Sequence, residues 1–302
     1  MKAYHLGLDV GGTNLAAAVY DNDYRMLAHR SIPAGADRNW QAITGDMAAV
    51  SRSVIDEAGI SIDDVECWGI GMPSCIDTRT GLLVNAHQFG WKNVPIREWL
   101  EPLLPLPVRI ENDANCAAYG EALAGAAKGR ANVVMLTLGT GVGSGIIIDG
   151  HIFKGSDGMG AEIGHSTLVQ GGRLCACGRK GCLEAYCSAT ALIARGKEVL
   201  GEACTNAKYV FTLAKEGNSK AMDLIDEYAG HLAAGLSSIV TIFRPEVLIV
   251  GGGVADAGDF LLDKVNALLP EATYNGVTIG VPPVVRATLG NAAGLIGAAF
   301  LK

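Results

Sequence analysis

Residues 132–153, NVVMLTLGTGVGSGIIIDGHIF, read as strand, glycine turn, strand, Asp-Gly turn, strand: apolar runs rich in β-branched residues broken only at residues that favour tight turns. The same order runs through residues 4–32, where YHLGLD (4–9), NLAAAVY (14–20) and MLAHRSI (26–32) are separated by VGGT and DND. Two copies of one hairpin-led unit predict a duplicated α/β chain. Its halves, residues 1–115 and 116–290, face each other across a cleft, and the segment 291–302 packs back on the first half.

The remaining pattern fits that division. Trp40, Ile43, Met47, Val50 and Val54 recur at helical spacing, VECWGIG (65–71) reads as a short strand, and VRIEND (108–113) as a strand running into an alanine-rich helix. In the second half, helices are expected near 188–200, 218–242 and 255–269, with a buried strand VLIV ahead of Gly251, Gly252 and Gly253, and a last helix from Asn291 to Leu301.

The composition narrows the function classes. With 49% hydrophobic and 18% charged residues the chain is globular, and a net charge of -7 gives no basic face for a nucleic-acid backbone. The opening MKAYHLGLDVGGT lacks the long apolar core of a signal peptide, and no run reaches membrane-spanning length, so a cytoplasmic location without membrane or nucleic-acid partners is expected. In that reducing compartment the eight cysteines are expected as thiols or metal ligands; Cys67, Cys75, Cys116, Cys187 and Cys204 are scattered and read as small buried residues.

The glycine turns carry the first chemistry. In DVGGT (9–13), Gly11 and Gly12 let backbone amides approach an anion, Thr13 adds a hydroxyl, and Asp9 offers a carboxylate suited to a magnesium ion held through water. Alone, this is an ordinary hairpin turn. The second copy, TLGTGVG (137–143), with Thr137, Gly139, Thr140 and Gly141 at the matching place, turns the pair into a grip for the two ends of a triphosphate. A dinucleotide fingerprint at Gly139, Gly141 and Gly143 fails, because SGIII continues as a strand where a helix is required. Gly252 and Gly253, ahead of a helix, can hold a nucleotide near its start, and no GxxxxGK sequence ending in Ser or Thr occurs.

ENDAN (111–115) lies where a strand gives way to a helix. Asp113 reads as the helix N-cap and, in a phosphate-binding cleft, as the acceptor of the proton from an attacking hydroxyl; Asn112 is placed to orient the substrate bearing it. In GHSTLVQGGRLCACGRKGCLE (164–184), His165, Cys175, Cys177 and Cys182 have the spacing of a four-ligand zinc site. With all four positions filled by protein, that zinc is structural. It holds the loop carrying Glu162, His165 and Glu184, polar groups placed to hydrogen-bond sugar hydroxyls, His165 ligating through one ring nitrogen and donating through the other.

DVGGT, ENDAN, TLGTGVGSG, EIGH, CACGRKGCLE and VLIVGGGV stand in the order seen in the ROK family (repressor, open reading frame, kinase), and over its whole length the chain resembles that family's glucokinase-type hexose kinases. The resemblance implies an actin-like, RNase H-type α/β fold with ATP in the interdomain cleft. It also implies Asp113 as general base, Asn112, Glu162, His165 and Glu184 as sugar contacts, the four zinc ligands named above, and a homodimer. The expected reaction is transfer of the γ-phosphate of ATP to the 6-hydroxyl of an aldohexose such as glucose or allose. N-acetylmannosamine, N-acetylglucosamine, fructose and mannose stay open as acceptors, as does a sugar-sensing regulator without turnover. The family's repressors carry a DNA-binding segment ahead of these motifs, for which a first turn at Asp9 leaves no room. Departures fall on Ser74 after Pro73, on Gln88 in QFGW, on the order Gly160-Ala161 before EIGH, and on Ala292 in GNAAG. Ser74 and Gln88 are expected to reshape the sugar pocket.

Overall fold

The computed structural model describes residues 2–302, and of His87 the backbone only. β1 (Tyr4–Val10), β2 (Asn14–Asp21) and β3 (Met26–Pro33) form the predicted antiparallel meander. α1 (Trp40–Glu57) starts where Asn39 accepts the Ala42 N–H at 2.8 Å, and buries Ile43, Met47, Val50 and Val54 against that sheet. β4 (Val65–Met72) then runs parallel to β1.

Between β4 and its next partner the chain builds a separate antiparallel sheet of β5 (Cys75–Asp77), β6 (Leu82–Ala86) and β7 (Trp91–Val94), followed by α2 (Ile96–Leu100). None of these elements is announced by the sequence pattern, because each is too short to show a period. What fixes the small sheet is aromatic packing. Phe89 stacks on Trp91 at 4.9 Å between ring centres, Trp91 meets Trp99 edge-on at 6.0 Å, and Trp99 stacks on Trp40 of α1 at 3.8 Å.

β8 (Val108–Asn112) closes the first sheet beside β4, and α3 (Asp113–Ala124) follows. The second half repeats the plan with β9 (Val133–Leu138), β10 (Val142–Ile148) and β11 (His151–Ile152). Then come α4 (Glu184–Cys187), α5 (Ala189–Leu200), α6 (Ala207–Lys215), α7 (Ser219–Phe243), β12 (Val247–Gly251), α8 (Asp259–Ala272), α9 (Gly276–Ile279), β13 (Val284–Arg286) and α10 (Ala292–Ala299). The sheet orders are β3-β2-β1-β4-β8 and β11-β10-β9-β12-β13, the same sequence of antiparallel and parallel neighbours in each. The helix expected from residue 255 begins at Asp259, after a 3-10 turn over Gly253–Ala257, and the last helix is shorter than expected at both ends.

The two halves exchange their final helices. α3 leaves the first sheet and packs on β9 and β10, where Gly145 admits Ala118 and the Ala114 carbonyl; α10 leaves the second sheet and packs on β1, β2 and β4, and the two helices lie against each other. A Cβ at Gly69 of β4 would overlap the Ala298 carbonyl, and one at Gly120 of α3 the Ala293 carbonyl, so backbone meets backbone there. The buried Glu121 locks the junction by accepting from the N–H groups of Ala126 (2.7 Å), Thr288 (2.9 Å) and Leu289 (2.8 Å). Among the described residues no helix is long and apolar enough to cross a membrane.

Gly69→Ala is expected to destabilise by roughly 2–3 kcal/mol in urea unfolding, as overpacking does. Gly45→Ala, within α1 and facing open space, is expected to stabilise by up to about 1 kcal/mol; equal effects of the two would contradict the packing described.

Candidate active site

The β8–α3 corner sets the centre of the cleft. Asn112, and not Asp113 as expected, is the N-cap: its Oδ1 accepts from the N–H groups of Ala114 at 2.8 Å and Asn115 at 3.2 Å, while its Nδ2 donates to the Ser74 carbonyl at 3.3 Å. The correction follows from backbone geometry: Asn112 is extended, and Asp113 is the first residue in helical conformation. Asp113 is thereby left to face the cleft, its Oδ1 accepting the Ala114 N–H at 2.8 Å. Burial keeps its carboxyl above the ordinary carboxylate range, with the backbone N–H groups of Ala114 and Asp113 itself pulling the other way. Asp9, at the end of β1, is pushed up to about 6, first by burial and then by the charge of Asp113.

From the second half, Glu184 opens α4 and has both carboxylate oxygens engaged. Oε2 accepts the Val142 N–H at 3.0 Å and Oε1 meets the Cys175 thiol at 3.2 Å, so Glu184 ties the cysteine loop to the second glycine turn. Only a glycine at 141 leaves room for this carboxylate. Glu162 and His165 flank a 3-10 turn that Ser144 pins by accepting the Ile163 N–H at 3.0 Å and donating to the Ala161 carbonyl. Ala161 is held at φ +72°, where a glycine would be unstrained, which explains why the Gly160-Ala161 order stands out in the sequence. Burial raises the Glu162 carboxyl; His165 opposes the shift, and Asp113 and Glu184 add to it.

His165, Cys175, Cys177 and Cys182 converge as predicted, their donor atoms all within 4.8 Å of one another. Cys177 Sγ lies 3.7 Å from Cys182 Sγ, and Cys175 Sγ 3.7 Å from His165 Nδ1. Donors 2.0–2.3 Å from a tetrahedral zinc sit about 3.5–3.8 Å apart, so this set fits the ion. Because Nδ1 faces the cysteines, Nε2 is the ring nitrogen left for the cleft.

The cleft holds two adjoining cavities. One, of about 610 Å³, is lined by Ser74, Gln88, Asn112 and Asp113 from the first half, and by Thr137, Gly139, Gly141, Glu162, His165, Glu184 and Gly252 from the second. The other, of about 400 Å³, shares Asp113, Thr137 and Gly252 and adds Asp9 and Gly253. Asn291 and Gly294, at the start of α10, also line it; their motif GNAAG is visible in the sequence, but only the fold shows which cavity it meets. Gly11 and Thr13 line a flanking groove with Asp9, and Thr140 lines a depression behind Glu184, so these three are not brought into the shared cavities. The Gln88 amide lies over Gly12 and joins the small sheet to the first turn. Ser74, 8% exposed, lines the larger cavity, and its buried hydroxyl has no partner among the described residues.

The ROK family model matches residues 5–302. The glucokinase of Streptomyces coelicolor is 35% identical over 98% of this chain and 96% of its own. Among solved structures, the ROK hexokinase of Thermus thermophilus superposes with a TM-score of 0.85 at 34% identity, covering 98% of this chain and 96% of that one. A ROK family glucokinase from Streptomyces griseus, solved in complex with glucose and AMPPNP, superposes with a TM-score of 0.80 at 34% identity and covers 98% of both chains.

Since the Asp9 value in the folded protein lies above the ordinary 3.8, the stability this carboxyl contributes is full below about 3.8 and is lost as pH rises through about 6. At pH 8 its buried charge costs the nucleotide-free protein on the order of 2–3 kcal/mol. Asp9→Asn should therefore raise the urea midpoint at pH 8, with the gain shrinking towards pH 4; a gain independent of pH would contradict this origin.

Proposed function

The chain belongs to the ROK family, and we propose from that premise that its cleft transfers the γ-phosphate of ATP to the 6-hydroxyl of an aldohexose. It is an ATP-dependent sugar kinase with the actin-like ATPase fold. The observation that carries the finer reading is the place of Asp113, on the wall shared by the two cavities, where an acceptor hydroxyl and a terminal phosphate meet.

In this reading the sugar fills the larger cavity, with Asn112, Glu162, His165 Nε2 and Glu184 as its polar contacts and the unpartnered Ser74 hydroxyl as a further one. The triphosphate lies along Thr137, Gly139 and Gly252, towards Asp9. Asp113 accepts the proton of the attacking hydroxyl while the hydroxyl oxygen bonds to the γ-phosphorus and the bond from that phosphorus to the bridging oxygen of ADP breaks. The raised value of its carboxyl supports the role, because a stronger base takes the proton more readily. Magnesium, when bound, neutralises phosphate charge; Asp9 suits it, being buried beside a second carboxylate whose repulsion a cation relieves.

The division at residues 1–115 and 116–290, with 291–302 joined to the first domain, is supported by the two matching sheets and by α10 lying on β1 and β4. A cytoplasmic location is supported by the use of ATP. A homodimer is supported by Ile242, Tyr274, Val277 and Ile279, exposed where the end of α7 is bonded to α9 through Arg244; sedimentation reads it directly.

ADP release should depend on hexose, in a panel of glucose, allose, mannose, fructose and the N-acetylhexosamines. Asp113→Asn is expected to lower kcat by about a hundredfold or more with sugar binding retained; substantial retained turnover would remove Asp113 from its role. A folded wild-type protein that binds sugar but turns over none would favour the regulatory reading. Metal analysis is expected to find one zinc per chain, lost in Cys177→Ser, and chelation should loosen residues 162–184 in hydrogen exchange while α1 stays protected. Zinc-free protein with that loop intact would refute a structural zinc.

A further inference from the structure

Glu111 is completely buried, two residues before Asp113. Its Oε1 accepts from the Asn112 backbone N–H at 2.9 Å and from Asn115 Nδ2 at 3.0 Å, so one carboxylate oxygen grips residues on both sides of Asp113. Among the described residues its Oε2 receives no aligned hydrogen bond; it is met by the ammonium of Lys154 at 2.7 Å. Lys154 belongs to the other half of the chain, two residues past β11. A fully desolvated carboxylate must be compensated, by hydrogen bonds or by a cation. Here that cation comes from the other half of the chain.

The lysine is itself held in place. Its carbonyl accepts the Gly160 N–H at 2.8 Å and closes residues 154–160 into a tight loop. That loop is fastened to the first half where Arg79 Nη1 donates to the Ser156 carbonyl at 3.3 Å and where Gly158 lies against Thr78. Past Ala161, the same segment delivers Glu162 to the sugar cavity.

We propose that Lys154 is a positioning residue for Asp113: by neutralising Glu111 from the other half of the chain it fixes the β8–α3 corner, and it sets the base and the loop bearing Glu162 in one arrangement. This rests on the reading of Asp113 as the base. The lysine touches neither reacting atom in that scheme. Loss of its charge strands the Glu111 carboxylate, which must then draw water or shift, and Asn112, the cap of α3, moves with it.

The test compares Lys154→Met, Lys154→Arg and the double variant Glu111→Gln with Lys154→Met in steady-state kinetics and in backbone hydrogen exchange. Lys154→Met is expected to lower kcat about tenfold or more with sugar KM within about threefold, Lys154→Arg to keep kcat within about threefold, and the double variant to recover most of the loss by removing the stranded charge. Exchange at residues 111–117 should quicken in Lys154→Met and return in the other two. If Lys154→Met unfolds, the double variant and the arginine variant still carry the comparison. Unchanged kcat in Lys154→Met, equal damage in the arginine and methionine variants, or unchanged exchange at 111–117 would each overturn the proposal. Wild-type protein without hexose-dependent turnover would instead overturn the kinase reading, while the exchange data would still judge the role of Lys154 at the corner.

Discussion

The structure depends on a reciprocal exchange of helices. Each half ends in a helix that abandons its own sheet for the other, and the two helices meet along glycine and alanine faces where no side chain separates the backbones. Dispersion at such close range is strong per contact and intolerant of added volume. It brings the corner that opens α3 and the corner that opens α10 to the same cleft. Glu121 adds a polar lock whose donors come from just past α3 and from the segment leading into α10.

The repeated plan of the sheets was legible because turn chemistry and apolar runs survive in both copies, and the cysteine loop because ligand spacing is local. The small aromatic sheet was hidden, since Phe89, Trp91 and Trp99 act through contacts with Trp40, far away in sequence. α6 was overlooked although Val210, Phe211 and Ala214 carry its buried face. The Asp113 cap was misread because Asn and Asp are equally good caps and stand side by side; only the backbone angle at Asn112 decides between them. Thr140 was placed by motif at a turn whose cleft-facing side is taken by Gly139 and Gly141. The partnership of Glu111 with Lys154 left no local trace, as their 43-residue separation is bridged only by the fold.

Electrostatics in the cleft is unbalanced without its ligands. Asp9, Asp113 and Glu162 are all held above the ordinary carboxylate range, each chiefly by burial. Such sites store unfavourable charge that a cation or a hydroxyl-rich ligand can offset. The cysteine loop stands outside this accounting: Glu184 ties it to the second glycine turn through the Cys175 thiol and the Val142 N–H.

The exchanged helices also set the order in which the chain can mature during synthesis. A ribosome releases the first sheet early, yet the surface around Gly7 and Gly69 is packed by α10, eight residues that follow the whole second sheet in sequence. α3 in turn waits for β9 and β10. Neither half can bury its inner face while the other is absent, so the nascent chain carries exposed apolar surface until α10 has been made, and the two halves gain their native stability together.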